Sequence, residues 1–176
     1  WRVRSLNVSR EGKVDMNDVD AALQTPTGIV SVMLANNETG VIQDVAAIAE
    51  RARAAKAWMH TDAVQALGKI PVDFESLNVH AMTLSAHKIY GPKGVGALWL
   101  REGVTLAPLL HGGGQEAAGR SGTLSPALCA GFGVAAQLMT QQRDQDAAHV
   151  AYLWETAVAR LGASWTINGS IAYRYR

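Results

Sequence analysis

The sequence has one cysteine, no long apolar run and almost no excess charge, and each of these shortages excludes a class of protein. Cys129 is the only cysteine among 176 residues, which excludes an internal disulfide framework and favours a reducing, intracellular compartment. No apolar stretch approaches the roughly 20 residues that span a bilayer. A formal net charge of +1 gives no electrostatic reason to expect nucleic acid or an acidic membrane surface as a partner.

The composition is that of a globular domain. Hydrophobic residues make up 48% of the chain and charged residues 18%, a balance that can form a core. The chain opens on Trp1, already in a strand-like pattern, and closes in a second strand-like run that begins at Ser164. We therefore expect an internal piece of a longer protein. The expected division is a partial large domain over residues 1–161 and the start of a further C-terminal region over residues 162–176.

Strands alternate with helices along the chain, which predicts a three-layer α/β fold with a mainly parallel central sheet. Predicted strands cover residues 1–6, 28–35, 57–60, 79–85, 94–100 and 106–110. The strands over 79–85 and 94–100 are separated only by a short turn, so this pair can be antiparallel.

Helix signals occur between these strands. Asp15 and Asp44 stand where the first two helices begin, and their side chains can cap free backbone N–H groups there. Pro126 is suited to the first turn of a helix that we expect to run to about residue 142. A separate helix is expected from about residue 144 to residue 161, with Gly162 ending it. The helix after Asp44 carries an apolar stripe formed by Val45, Ile48, Ala49 and Ala52.

Three polar residues, Asn37, Asp62 and Lys88, each follow a predicted strand. Ligands of open α/β sheets bind outside the carboxyl ends of the strands, so we expect these side chains to face one pocket. Lys88 ends a strand expected to be buried, and burial disfavours the charged form of a lysine. A neutral lysine amine can attack a carbonyl and form a Schiff base.

The polar residues in this region match the requirements of pyridoxal phosphate. That cofactor needs a lysine for the covalent link and a carboxylate to keep its ring nitrogen protonated. It also needs hydrogen-bond partners for its phenolic oxygen and small polar groups around its phosphate. For these four needs the sequence offers, in order, Lys88, Asp62, Gln65 with Asn37, and Ser85 with His87.

Four motifs follow one another along the chain. They are Asn36-Asn37-Glu38-Thr39-Gly40, His60-x-Asp62-x-x-Gln65, Ser85-x-His87-Lys88-x-Tyr90-Gly91-Pro92-Lys93-Gly94, and Gly112-Gly113-Gly114-Gln115-Glu116 followed by Arg120-Ser121-Gly122-Thr123. Together they closely resemble the cysteine desulfurases, which belong to the class V aminotransferase group of fold-type I pyridoxal phosphate enzymes. The resemblance runs in register from about residue 1 to about residue 170, and four ordered motifs are far more specific than any single one.

The resemblance implies a role for each residue around the cofactor ring. Lys88 resembles the lysine that binds the cofactor and later moves protons. Asp62 resembles the partner of the pyridine nitrogen. Gln65 resembles the residue on the phenolic oxygen, and Asn37 the residue near that oxygen and the substrate carboxylate.

It also implies how the phosphate is held. Ser85 and His87 resemble phosphate ligands of the same subunit. Thr123 resembles a residue that reaches the phosphate of a neighbouring subunit, so a homodimer is implied. Residues 1–161 would then be part of a pyridoxal phosphate-binding large domain. No metal ligands are assigned.

The implied reaction removes sulfur from L-cysteine, giving L-alanine and an enzyme persulfide for iron–sulfur clusters or thio-products. The implied partners are L-cysteine, a sulfur-acceptor or scaffold protein and a second copy of the chain, without nucleic acid or membrane. The expected location is the cytoplasm, with an organellar matrix left open. The alternatives are another lyase of the same group, such as a selenocysteine lyase, or a non-catalytic chain that lacks the persulfide cysteine.

The chain also departs from the family pattern. The family's glycine-rich phosphate segment and ring-stacking histidine precede the matched region, and its persulfide cysteine and carboxylate-binding arginine follow it. Cys129 does not match that cysteine, and its apolar surroundings indicate a small buried residue. The family usually has an arginine where Ala117 stands.

Individual residues have simpler interpretations that stay open at this point. Lys88 can be a surface lysine beside a turn, and Asp62 can cap a helical turn. His87 can be an ordinary half-buried histidine, and Thr123 can cap the helix that begins near Pro126. Two further histidines, His60 and His111, can be core residues or neighbours of the site.

Overall fold

The computed structural model describes residues 2–162 and 165–175, within which four strands form one mixed sheet. The strands are β1 (Ile29–Met33), β2 (Trp58–Asp62), β3 (Ala81–Ser85) and β4 (Gly96–Leu100), in that spatial order. β2 pairs in parallel with both β1 and β3, whereas β3 and β4 are antiparallel. The mainly parallel sheet and the antiparallel pair at its edge are thus confirmed.

The first two helices begin where Asp15 and Asp44 predict them. The described helices are α1 (Met16–Leu23), α2 (Val45–Ala54), α3 (Phe74–Leu77) and α4 (Pro126–Leu161). The Asp15 carboxylate accepts a hydrogen bond from a backbone N–H at the start of α1, and the Asp44 carboxylate does so at the start of α2. Each bond satisfies a backbone donor that would otherwise lack an intrahelical partner.

The core lies between α2 and one face of the sheet. The predicted apolar stripe of α2 is fully buried, and the strand residues that belong to the same cluster include Val30, Met59 and Met82. Burial of a side chain of this size stabilises the fold by about 1.5–3 kcal/mol. The opposite face of the sheet leaves Ile29 and Leu98 exposed.

Three predicted elements are wrong. Residues 2–6 form no strand, and Val3 is 94% exposed; residues 106–110 form none either, and Leu109 is 89% exposed. Neither segment pairs with an edge of the described sheet, and a strand needs a partner for its backbone groups. The two expected C-terminal helices are one helix, α4, because the expected break at residues 142–144 contains no glycine or proline.

The described part of the C-terminal region returns to the loop after β1. The Ile42 N–H donates to the Tyr173 carbonyl oxygen at 2.7 Å, and the Arg174 guanidinium donates to the Thr39 carbonyl oxygen while lying over the Trp154 ring. The expected boundary near residue 161 stays a prediction. Trp1 and Ser164, where two strand-like runs were expected to begin, lie outside the described residues.

Candidate active site

Asp62 and Ser85 are the last residues of the adjacent parallel strands β2 and β3. Their carboxyl ends meet at one edge of the sheet, and Asp62 is paired across the strands with Thr83. Because strand side chains alternate between faces, Thr83 and Ser85 lie on the same face as Asp62. Lys88 follows at once, in the short 3₁₀ turn Ala86–Ile89. The strand order therefore brings Asp62 and Ser85, with the turn that carries His87 and Lys88, to the same end of the sheet.

Asp62 is fixed on both its backbone and its side chain. Its carbonyl oxygen accepts from the Leu34 N–H at 2.8 Å, and its Oδ1 accepts from the Val64 N–H at 2.8 Å. The capping interpretation is thus correct, and it leaves Oδ2 without a hydrogen-bond partner among the described residues. Gln65 is half-buried in the helical turn that follows Asp62. In this turn the Ala63 carbonyl oxygen accepts hydrogen bonds from the N–H groups of Ala66 and Leu67.

Ser85 and His87 form a hydrogen-bonded pair beside Lys88. The Ser85 hydroxyl lies 2.8 Å from Nδ1 of His87. His87 is exposed, so its interpretation as a half-buried histidine is wrong. The left-handed conformation of Tyr90 ends the turn, and the Gly91 N–H donates back to the Ala86 carbonyl oxygen at 2.9 Å.

Lys88 opens into a cavity of about 220 Å³ between its own turn and α4. The expectation that Lys88 is buried is wrong for the described chain, because its side chain is exposed. Lys69, half-buried, lines the same cavity, and apolar side chains of α4 such as Met139 and Val150 form the opposite wall. Burial lowers the pKa of Lys69, and the positive charge of Lys88 lowers it further.

Two glycines allow the Lys88 turn to pack on α4. A Cβ atom on Gly91 would lie 2.9 Å from the Ala86 carbonyl oxygen and 3.0 Å from the Ala135 Cβ of α4. A Cβ atom on Gly131 would lie 3.0 Å from a ring carbon of Pro92. Sequence reasoning did not identify this contact, although small residues on both sides are its signal.

Lys88 is the one predicted site residue that lines this cavity, which Asp62, Gln65, Ser85 and His87 do not reach. Asn37 and Thr123 are exposed and do not line it either. Asn37 lies in a turn that its neighbour Asn36 organises, because the Asn36 Oδ1 accepts from the backbone N–H groups of Glu38 and Thr39 at 2.9 and 2.8 Å. Thr123 is not a helix cap.

The residue that caps α4 is Ser125, whose hydroxyl accepts a hydrogen bond from the Leu128 N–H. Cys129 lies in the first turn of α4 and is exposed, so the expectation that it is buried is wrong. His111 is exposed and is therefore not a core residue.

His60 links three strands behind Asp62. Its Nδ1 lies 2.8 Å from the Ser31 hydroxyl of β1, and its Nε2 lies 2.7 Å from the Thr83 hydroxyl of β3. Burial lowers the pKa of His60, and the negative charge of Asp62 acts in the opposite direction. The sequence motif contains His60 and Asp62 but does not reveal the two hydroxyl partners.

The fold is that of a class of enzymes that matches the chain along most of its length. The family model described as "Aminotransferase class-V" matches residues 1–170. The mitochondrial cysteine desulfurase of Saccharomyces cerevisiae is 46% identical over 99% of the chain. The chain belongs to the class-V aminotransferase family.

Solved structures show the same fold. A NifS-like protein from Rickettsia africae superposes with a TM-score of 0.85 at 35% identity, covering 89% of this chain and 44% of that one. A structure described as SspA in complex with cysteine gives a TM-score of 0.69 at 38% identity, covering 73% and 38%. The expected α/β fold class is thereby confirmed. The chain spans 36% of the length of the yeast relative.

Proposed function

We propose that the whole protein containing this chain is a pyridoxal phosphate-dependent cysteine desulfurase. The observation that carries the proposal is the arrangement at the carboxyl end of the sheet. There a carboxylate ends β2, a serine ends β3, and a histidine and a lysine follow that serine. The similarity to the yeast desulfurase and to a protein solved with cysteine supports the choice within the family.

The side chains at this edge suit the cofactor chemically. The exposed Lys88 amine can reach a carbonyl carbon, and the open Oδ2 of Asp62 can accept a hydrogen bond from a protonated ring nitrogen. The Ser85 hydroxyl and the His87 imidazole lie together next to Lys88, and both can donate to a phosphate oxygen. The carbonyl carbon, the ring nitrogen and the phosphate of the cofactor thus each have a matching group at or just after the ends of β2 and β3.

When bound, pyridoxal phosphate would supply the electron sink for bond cleavage at the substrate. In the proposed mechanism Lys88 holds the cofactor covalently and carries protons to and from the substrate carbon. Asp62 keeps the ring nitrogen protonated through a charge-assisted hydrogen bond. Gln65 and Asn37 orient the phenolic oxygen and the substrate carboxylate, while Ser85 and His87 bind the phosphate.

L-Cysteine is the proposed substrate, and L-alanine and an enzyme-bound persulfide are the proposed products. The sulfur would pass to an acceptor or scaffold protein for iron–sulfur clusters or thio-products. We propose a homodimer in which the exposed Thr123 reaches the phosphate of the second copy. The proposed location is the cytoplasm or an organellar matrix, and the yeast relative is named as mitochondrial. No described helix is long and apolar enough to cross a bilayer.

The test uses the whole protein and two lysine variants. Wild type incubated with pyridoxal phosphate should develop the visible absorption of a lysine-bound cofactor. With dithiothreitol present to reduce the enzyme persulfide, it should convert L-cysteine to L-alanine and sulfide. Lys88→Ala should lose both properties. Lys93→Ala is the matched control, because Lys93 is an exposed lysine five positions further along. Retention of the absorption and turnover in Lys88→Ala would refute the assignment, and a strong preference for selenocysteine over cysteine would favour the related lyase.

A further inference from the structure

The face of the sheet that points away from α2 carries a row of three polar residues next to Asp62, namely Ser31, His60 and Thr83. Ser31 is the cross-strand partner of His60, and Thr83 is the cross-strand partner of Asp62. All four side chains therefore lie on one face. Among the residues of the four described strands that point to this face, Asp62 is the only one with a formally charged side chain.

The imidazole of His60 is held at both ends. Its ring reaches the Ser31 hydroxyl on one side and the Thr83 hydroxyl on the other, at 2.8 and 2.7 Å. A neutral imidazole has one donor and one acceptor nitrogen, and a hydroxyl can serve as either partner. The two bonds therefore fix the ring plane without requiring a charge. They join β1, β2 and β3 at positions two residues before the last residue of each strand.

The charge of His60 matters for Asp62. A protonated imidazole close to the carboxylate would attract it and satisfy part of its negative charge within the protein. Burial disfavours the protonated form and lowers the pKa of His60, although Asp62, the charged group that acts on the ring, opposes this effect. At neutral pH the row behind Asp62 is accordingly polar but uncharged.

We propose that His60 is a positioning residue for Asp62. Its uncharged ring, hydrogen-bonded to Ser31 and Thr83, holds the three strand ends together. The Asp62 carboxylate therefore stays available to accept a hydrogen bond from a cationic N–H of a bound ligand. The identity of that ligand as the protonated pyridine ring rests on the proposed function. The two hydrogen bonds of His60 and the neutral charge of its ring do not depend on the proposed function.

The first test needs no cofactor. Nitrogen NMR spectra of the whole protein with labelled histidine, assigned with His60→Gln, should show a neutral His60 ring at pH 7. Asp62→Asn should lower the titration midpoint of His60 further, because the negative charge that favours protonation is gone. Thr83→Val, which keeps the shape of the residue, should shift the Nε2 resonance. A charged His60 at pH 7, or a midpoint unchanged in Asp62→Asn, would overturn the proposal.

The second test separates positioning from general stabilisation. His60→Leu should weaken the binding of pyridoxal phosphate on the order of tenfold, the effect expected for a disturbed hydrogen bond to a charged group. The same variant should leave the binding of 1-deazapyridoxal phosphate nearly unchanged, because this analogue has no ring nitrogen for Asp62 to bind. His60→Gln, whose amide can bond to both hydroxyls, should recover most of the affinity.

An equal loss for both cofactors in His60→Leu would show a structural role and would overturn the proposal. The two claims fail separately. If wild type bound neither cofactor through Lys88, the proposed function would be wrong, and the nitrogen spectra alone would decide whether His60 is the neutral partner of Asp62.

Discussion

Lys69 and Lys88 line the same cavity, and the positive charge of Lys88 adds to the burial that lowers the pKa of Lys69. The two residues belong to different loops, one after β2 and one after β3. The cavity thus brings together two amines, of which the motif identified only Lys88.

The first prediction follows from this pair. Lys88→Met removes the positive charge but keeps an unbranched chain of similar length, so the pKa of Lys69 should rise towards its usual value. The measurement is a pH titration of lysine side chains by NMR after isotopic labelling, with Lys69→Arg to assign the signal. Lys93→Met serves as the control and should leave the Lys69 titration unchanged. An identical titration of Lys69 in all three proteins would show that the charge of Lys88 does not act on it.

The second prediction concerns the pH dependence of stability. Burial lowers the pKa of His60 and of His80 below the usual histidine value of 6.5. His80 also accepts the Met59 N–H at its Nδ1, at 2.9 Å, which requires that nitrogen to be unprotonated. Below pH 6.5 the unfolded chain therefore binds more protons than the folded chain at these two sites.

Their contribution to the free energy of unfolding should accordingly be complete above about pH 6.5 and should fall as the pH drops through the lowered folded pKa values. Urea midpoints of the whole protein between pH 5 and pH 7.5 measure this. His60→Gln should flatten the curve, whereas His111→Gln, at an exposed histidine, should not. A curve of unchanged slope in His60→Gln would contradict the lowered pKa.

The third prediction concerns the packing of the Lys88 turn on α4. Gly91→Ala would place a Cβ against the Ala86 carbonyl oxygen and the Ala135 side chain, so it should destabilise the protein by about 1–3 kcal/mol. It should also weaken cofactor binding, because the turn that carries Lys88 must shift. Gly133→Ala is the control, since a Cβ there meets nothing within 4 Å and alanine is the better helix former. Equal urea midpoints for Gly91→Ala and wild type would show that the contact is not tight.

The fourth prediction concerns the start of α2, the helix that covers the core. Asp44→Ala removes the side-chain acceptor of the Ala47 N–H and should cost about 1 kcal/mol of stability. Asp44→Asn keeps an oxygen at that position and should stay close to wild type. Urea unfolding of the three proteins at pH 7 tests this, and equal losses in both variants would point to charge rather than to the cap.

Several features of the fold could be predicted because they depend on neighbours in the chain. Asp44 caps α2 through a residue three positions away, and the buried stripe of α2 repeats with the period of the helix. The predicted strand over residues 1–6 failed for the opposite reason. Its alternating pattern is suitable for a strand, but the backbone pairs only if a sheet edge is available, and residues 2–6 lie at none.

The candidate site also has features that the sequence predicted and features that it did not. Sequence alone identified Asn37, Asp62, Lys88 and their motif neighbours, because order and spacing along the chain carry that information, and it determined the family to which the chain belongs. Exposure was not predictable: Lys88 and Cys129 were both expected to be buried, and both are exposed. Burial depends on which elements cover a residue, and that is decided by the whole fold.

The sequence by itself determined the residue types at the strand ends, the helix caps and the alternation of strands and helices. Only the tertiary structure decided which side chains meet. His60 contacts hydroxyls 29 and 23 positions away, and both contacts depend on the register of β1 and β3 against β2. A shift of one residue in that register would turn every side chain of a strand to the other face, and hydrophobic burial across the whole sheet prevents it.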